Sequence, residues 1–169
     1  IKYVSFSDDN SKTIVQVTSD QDPGTYYVVD VKSKNTQLLV KQTATTEQYV
    51  VGNRFPVEFA SRDGKRISGY LTLPKGKEKK LPFVVKVRGG AFNLPGGAPA
   101  VWDFDAESQL FASAGFGVLE VNSRGTEGFG RKFAMASMGH AGDHVQNDIA
   151  DGVKHIVKNG TADANRICA

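Results

Sequence analysis

VWDFDAESQLFASAGFGVLEVNSRGTEGFGRKF, residues 101–133, carries a helix, a strand and a glycine-rich loop in one unbroken run. Leu110, Phe111 and Ala114 recur at helical spacing. Asp105 is placed to accept the free N–H groups of the first turn, and Gly115 to end the helix. GVLEV (117–121) is a short apolar strand, and Asn122 to Gly130 is a loop with glycines at 125, 128 and 130. Outward from this stretch the alternation continues. Upstream, PFVVKV (82–87) is a nearly continuous apolar run, as expected of a strand buried on both faces. Downstream from about His144, Val145, Ile149, Val153, Ile156 and Val157 mark an amphipathic helix stopped at Gly160. RICA (166–169) opens another strand. Strand, helix, strand, helix, strand predicts an α/β fold with a parallel-type sheet and crossover helices.

Before Pro82 the chain reads as β structure. Val57 to Ala60 and Arg66 to Leu73 flank the turn Ser61-Arg62-Asp63-Gly64, a strong hairpin signal. TIVQVTS (13–19), TYYVVDV (25–31) and Thr36 to Val40 are rich in β-branched and aromatic residues and are separated by turn formers. Three such strands form an antiparallel meander with too little apolar area to stand alone. Its context is either a small sheet or a blade of a β-propeller, whose blades are four-stranded meanders. The change of pattern near Val51 to Phe55 divides the chain into residues 1–52 and 53–169.

Hydrophobic residues are 40% of the 169 and charged residues 23%, which excludes a disordered chain. No apolar run approaches the roughly 20 residues that span a bilayer. Ile1 to Asp9 lack the basic-then-apolar layout of a signal peptide. The net charge of +3 arises from interspersed signs. The one basic cluster, KGKEKK (75–80), lies between two prolines and reads as a solvated turn, so neither a nucleic-acid nor a membrane partner is expected. Cys168 is the single cysteine and does not fix the redox compartment.

The chemistry-bearing residues are few. In VVKVRGGAF (84–92) a buried strand ends in Gly89-Gly90, at the strand edge where open parallel sheets bind ligands. Amide N–H groups there can face a developing oxyanion, or the pair can be an ordinary turn. The glycine order in NSRGTEGFGRKF (122–133) is the reverse of a dinucleotide fingerprint, and no phosphate loop occurs, so no nucleotide is implied. His140 and His144 stand four apart with Asp143 between them. Ala141 replaces the glutamate of the H-E-x-x-H motif and Gly142 disfavours a regular helix, so no metal site and no cofactor are expected. Asp148 and Asp151 share a helix face and are expected to make a cap or a salt bridge rather than an acid–base pair. His155 belongs at the surface or the core edge. A nucleophile elbow of the form Gly-x-Ser-x-Gly is absent from the chain.

In order, these segments resemble the prolyl oligopeptidase family of serine peptidases, most closely its acylaminoacyl-peptidase-like and dipeptidyl-peptidase-like branches. DPGTYYVVDVKSKNTQLLV (22–40) is similar to the closing propeller strands, and FASRDGKRISGYLTLPKG (59–76) to the entry hairpin of the hydrolase domain. VVKVRGGAF is similar to the strand that ends in His-Gly-Gly-Pro. Residues 101–133 resemble the helix, strand and Asn-x-Arg-Gly-x-x-Gly-x-Gly loop. QNDIADGVKHIVKNGTADANRICA (146–169) resembles the helix and strand that precede the nucleophile elbow.

The resemblance implies the end of a β-propeller over 1–52 and the N-terminal portion of an α/β-hydrolase domain over 53–169. It implies peptide hydrolysis by a Ser-Asp-His triad C-terminal to this segment, with short peptides as substrate and no cofactor. The rest of the hydrolase domain and propeller would be its structural partners, and the segment alone would be inactive. No catalytic residue lies within the chain on this reading. Gly90 is the candidate oxyanion-hole residue through its backbone amide. Arg88 stands where the family has histidine or tyrosine, and Ala91 where it has proline. Arg88 is expected to pair with a carboxylate. Two rivals are a non-catalytic propeller-linked binding module and an esterase of the same fold.

Overall fold

The computed structural model describes residues 1–42, 52–87 and 101–169. The first of two sheets is a four-stranded meander: β1 (Lys2–Phe6), β2 (Lys12–Val17), β3 (Thr25–Asp30) and β4 (Thr36–Lys41), in that spatial order and antiparallel throughout. Its turns are held by aspartates. The Asp9 carboxylate accepts from the Ser11 N–H at 3.1 Å, and that of Asp30 from the Ser33 N–H at 2.8 Å. Short side chains that bond the backbone two or three residues on favour turns over strand continuation. β1 is a strand that sequence reading missed. All five of its residues are exposed, so it shows no in–out alternation. It completes the four strands of a propeller-type blade.

The second sheet contains β5 (Asn53–Ala60), β6 (Arg66–Leu73), β7 (Leu81–Lys86), β8 (Gly117–Asn122) and β9 (Ala162–Cys168), in the order β5-β6-β8-β7-β9. β5 and β6 form the expected hairpin, and β6 lies antiparallel to β8. β7 is parallel to both β8 and β9. The sheet is therefore mixed: an antiparallel hairpin on one side and parallel strands on the other. Helix α1 (Ala106–Ser113) links β7 to β8, and α3 (Gln146–Lys158) leads to β9. A four-residue helix α2 (Arg131–Ala134), a 3-10 turn (Met135–Ser137) and a π-helical turn (Ala141–Val145) lie between β8 and α3.

The core belongs to this second sheet. All six residues of β8 are buried, as a central strand requires. Phe59, Ile67, Leu81, Phe83, Leu119, Val121 and Ile156 form the main apolar cluster, with Ile149, Val153 and Val157 of α3 packed against it. Each fully buried side chain of this kind contributes about 1.5–3 kcal/mol. α3 approaches the sheet closely at Gly152, where a Cβ would sit 2.9 Å from the Phe59 ring and 3.0 Å from Val121.

The two sheets are joined by polar contacts. The Arg54 N–H donates to Asp20 at 3.1 Å, and Gln21 donates to Asn53 at 2.7 Å. The Gln109 amide of α1 donates to the Asp20 and Gly52 carbonyls, while its oxygen accepts from the Gly52 N–H. One side chain thus ties the β2–β3 turn to the start of β5.

Candidate functional site

Because β7, β8 and β9 run parallel, their C-terminal ends share one edge of the sheet. Lys86 stands opposite Glu120, and Val84 opposite Cys168. In sheets of this kind ligands bind outside the carboxyl ends of the strands. Gly90, proposed from sequence as an oxyanion donor, lies outside the described residues, as do Arg88, Gly89 and Ala91. The flanks of that segment are described. Lys86, the last residue of β7, places its ammonium 2.7 Å and 2.9 Å from the two Asp105 oxygens and 2.8 Å from Glu107. Asp105 also caps α1 by accepting from the Ser108 N–H at 2.8 Å. Burial alone would push the Asp105 carboxyl up. The Lys86 ammonium and the Ser108 bonds outweigh it and hold the carboxyl at about 2. The strand end and the next helix start are therefore locked to each other.

The loop after β8 is held by Arg124, which is only 4% exposed. Its backbone N–H donates to Asp148 at 2.9 Å, and its guanidinium makes a fork on the same carboxylate at 3.0 Å and 2.6 Å. The remaining nitrogen donates to Asp63, in the β5–β6 turn, at 2.6 Å. A planar guanidinium suits this bidentate geometry, which a lysine would not reproduce. Ser61 and then Arg124 draw the Asp63 carboxyl down to about 2. One turn along α3, Asp151 accepts from the Arg62 N–H at 2.8 Å and from its guanidinium at 3.0 Å and 2.9 Å. Asp148 and Asp151 are thus salt-bridge residues, as their spacing implied. Gly125, Gly128 and Gly130 have φ of 101°, 89° and 86°. Side chains rarely adopt that conformation, so the glycine spacing answers the backbone path and not a phosphate.

A second ionic pair lies under the same edge. Arg54 of β5 meets Glu120 of β8, both essentially sealed from solvent. Arg54 also donates to Thr72 at 3.0 Å and to the Val101 carbonyl at 3.1 Å, and stacks on Tyr70 at 4.8 Å. Sequence reading did not find this pair. The lone glutamate inside GVLEV was its available signal, since a charge in a buried strand needs a partner. An open groove of about 550 Å³ runs beside the loop, lined by Glu58, Tyr70, Asn122 and Phe129 among others. His155 sits at the core edge, stacked on Phe59. His140, Asp143 and His144 come together at the start of α3.

The chain is similar to known proteins over most of its length. The prolyl oligopeptidase family model matches residues 102–169, which span α1, β8, the Arg124 loop, α3 and β9. Over these residues the chain is similar to the prolyl oligopeptidase family. Dipeptidyl aminopeptidase BIII of Pseudoxanthomonas mexicana is 29% identical over 94% of the chain, and dipeptidyl-peptidase 5 of Porphyromonas gingivalis 27% identical over 99%. The acylaminoacyl peptidase structure from Pyrococcus horikoshii superposes with a TM-score of 0.72 at 25% identity over 92% of the chain. The chain spans 24% of the length of each of these relatives.

Proposed function

We propose that the protein is a serine peptidase acting on short peptides, and that this chain builds one wall of its active site. The observation that carries the reading is the parallel β8-β7-β9 arrangement, which ends three strands on one edge. On this reading the nucleophilic serine follows Ala169 within a few residues, on the turn that leaves β9. Aspartate and histidine come later in the chain. The Gly90 amide, on the segment leaving β7, donates to the tetrahedral oxyanion. Lys86–Asp105 and Arg124–Asp148 act as positioning pairs that hold the two neighbouring loops. Residues 1–52 end a propeller whose neighbouring blades cover the exposed apolar side chains Tyr3, Phe6, Leu38 and Val40. Binding as a peptide substrate requires no nucleic acid, membrane or cofactor.

The test is hydrolysis of peptide p-nitroanilides by the full chain, compared with p-nitrophenyl esters of simple acids. Amide turnover abolished by a serine-directed fluorophosphonate supports a peptidase. Turnover of esters alone assigns an esterase, and binding without turnover assigns a non-catalytic module.

A further inference from the structure

His140, Asp143 and His144 belong to no step of the proposed hydrolysis, yet they are placed with unusual order. The π-helical turn over Ala141–Val145 is wider than an α-helical one. It brings the two imidazoles face to face, with ring centroids 4.4 Å apart and planes within 15°. The Asp143 carboxylate lies between their edges. One oxygen is 3.5 Å from Nδ1 of His140, and the other is 3.9 Å from Nε2 of His144 and accepts the His144 backbone N–H. One ligand atom from each of the three residues falls within 4.8 Å of the others.

The second observation concerns the tautomer. Nδ1 of His144 is 3.2 Å from the Ala136 carbonyl oxygen. A carbonyl only accepts, so Nδ1 carries a proton, and in the neutral imidazole Nε2 is the nitrogen left with a lone pair for a metal. Metal-bound histidines are oriented in this way by a backbone carbonyl on the opposite ring nitrogen. The sequence-based objection assumed a regular helix and the glutamate of a catalytic zinc motif. The π turn removes the first condition, and binding does not need the second.

We propose that His140, Asp143 and His144 bind one divalent transition-metal ion of the zinc type, with the remaining coordination position open to water. Two imidazoles and a carboxylate suit a borderline-soft ion rather than Mg²⁺ or Ca²⁺. Tetrahedral bonds of about 2.1 Å set ligand atoms about 3.4 Å apart, so the ligands close by an ångström or so. Side-chain rotation supplies this, since His140 and Asp143 are more than half exposed. Through Ala136 the bound ion would tie the 3-10 turn to the N-terminal end of α3, the helix that carries Asp148.

The test is a Co²⁺ titration of the untagged, chelator-treated full chain, read by visible d–d absorption and reversed by Zn²⁺. The expected result is a Co²⁺ equivalent that His140→Ala and His144→Ala each weaken by about 100-fold or more, while His155→Ala keeps it. Zn²⁺ should raise the thermal midpoint of the wild type and of His155→Ala but not of the two site variants. Absorption that is absent from the wild type, or unchanged in both site variants, overturns the proposal.

Discussion

Arg124 shows how one residue organises the edge. Its guanidinium is buried, and its two carboxylate partners come from different elements, α3 and the β5–β6 turn. Removing one partner leaves a charge in a site that water does not reach. Asp148→Ala is therefore expected to cost about 3–5 kcal/mol, measured by urea denaturation. If the loop matters to catalysis as proposed, the same change lowers kcat/KM more than Asp151→Ala, whose partner Arg62 is half exposed. Asp105 gives a pH signature. Its folded pKa of about 2 lies below the ordinary 3.8, so its contribution is complete above about pH 4 and is lost as pH falls toward 2. Wild type and Asp105→Asn should differ in thermal midpoint at pH 6 and converge near pH 2. Asp148 and Asp151 could be recognised as ion-pair residues from their spacing. Their partners could not, because Arg124 lies 24 residues away and Arg62 lies 89 residues away, and only the packed fold brings them together.

Among the elements, β8 decides the sheet. It pairs with β6 on one side and β7 on the other, and Gly69 of β6 makes the first pairing possible. A Cβ there would lie 2.2 Å from the Glu120 carbonyl oxygen, a backbone atom with no freedom to rotate away. Gly69→Ala should therefore destabilise by about 3 kcal/mol or more, whereas Gly64→Ala, where a Cβ meets no atom, should act only through its positive φ. Hydrogen exchange of β8 amides distinguishes the two: protection falls in the first variant and persists in the second. The elements most legible in sequence were those with strong periodicity: β7, β8, α3 and the β5–β6 hairpin. β1 was hidden because it buries nothing. The first half of β9 was hidden because ADANRIC is mostly polar and exposed. The π turn was hidden because no propensity distinguishes it from a loop with glycines. The candidate oxyanion residue, Gly90, was read from its strand alone and lies outside the described residues.

At the scale of the molecule, the second sheet has β5 and β9 as its edge strands among the described residues. β9 pairs only with β7 among the described strands, and its other edge is open. The 169 residues produced alone should hydrolyse no peptide p-nitroanilide in a fluorophosphonate-sensitive manner, because they lack a nucleophile elbow. They should also associate at micromolar concentration, as light scattering would record. If the Gly90 amide donates to the oxyanion as proposed, Gly90→Pro in the full chain should lower kcat by about 10²–10³ with KM little changed. The central claim is that the shared end of β7, β8 and β9 faces a serine supplied just beyond β9. Labelling the full chain with a fluorophosphonate and sequencing the adduct peptide tests it directly. The account predicts a single labelled serine within the first few residues after Ala169, and a label elsewhere, or undiminished peptide hydrolysis without any label, would contradict it.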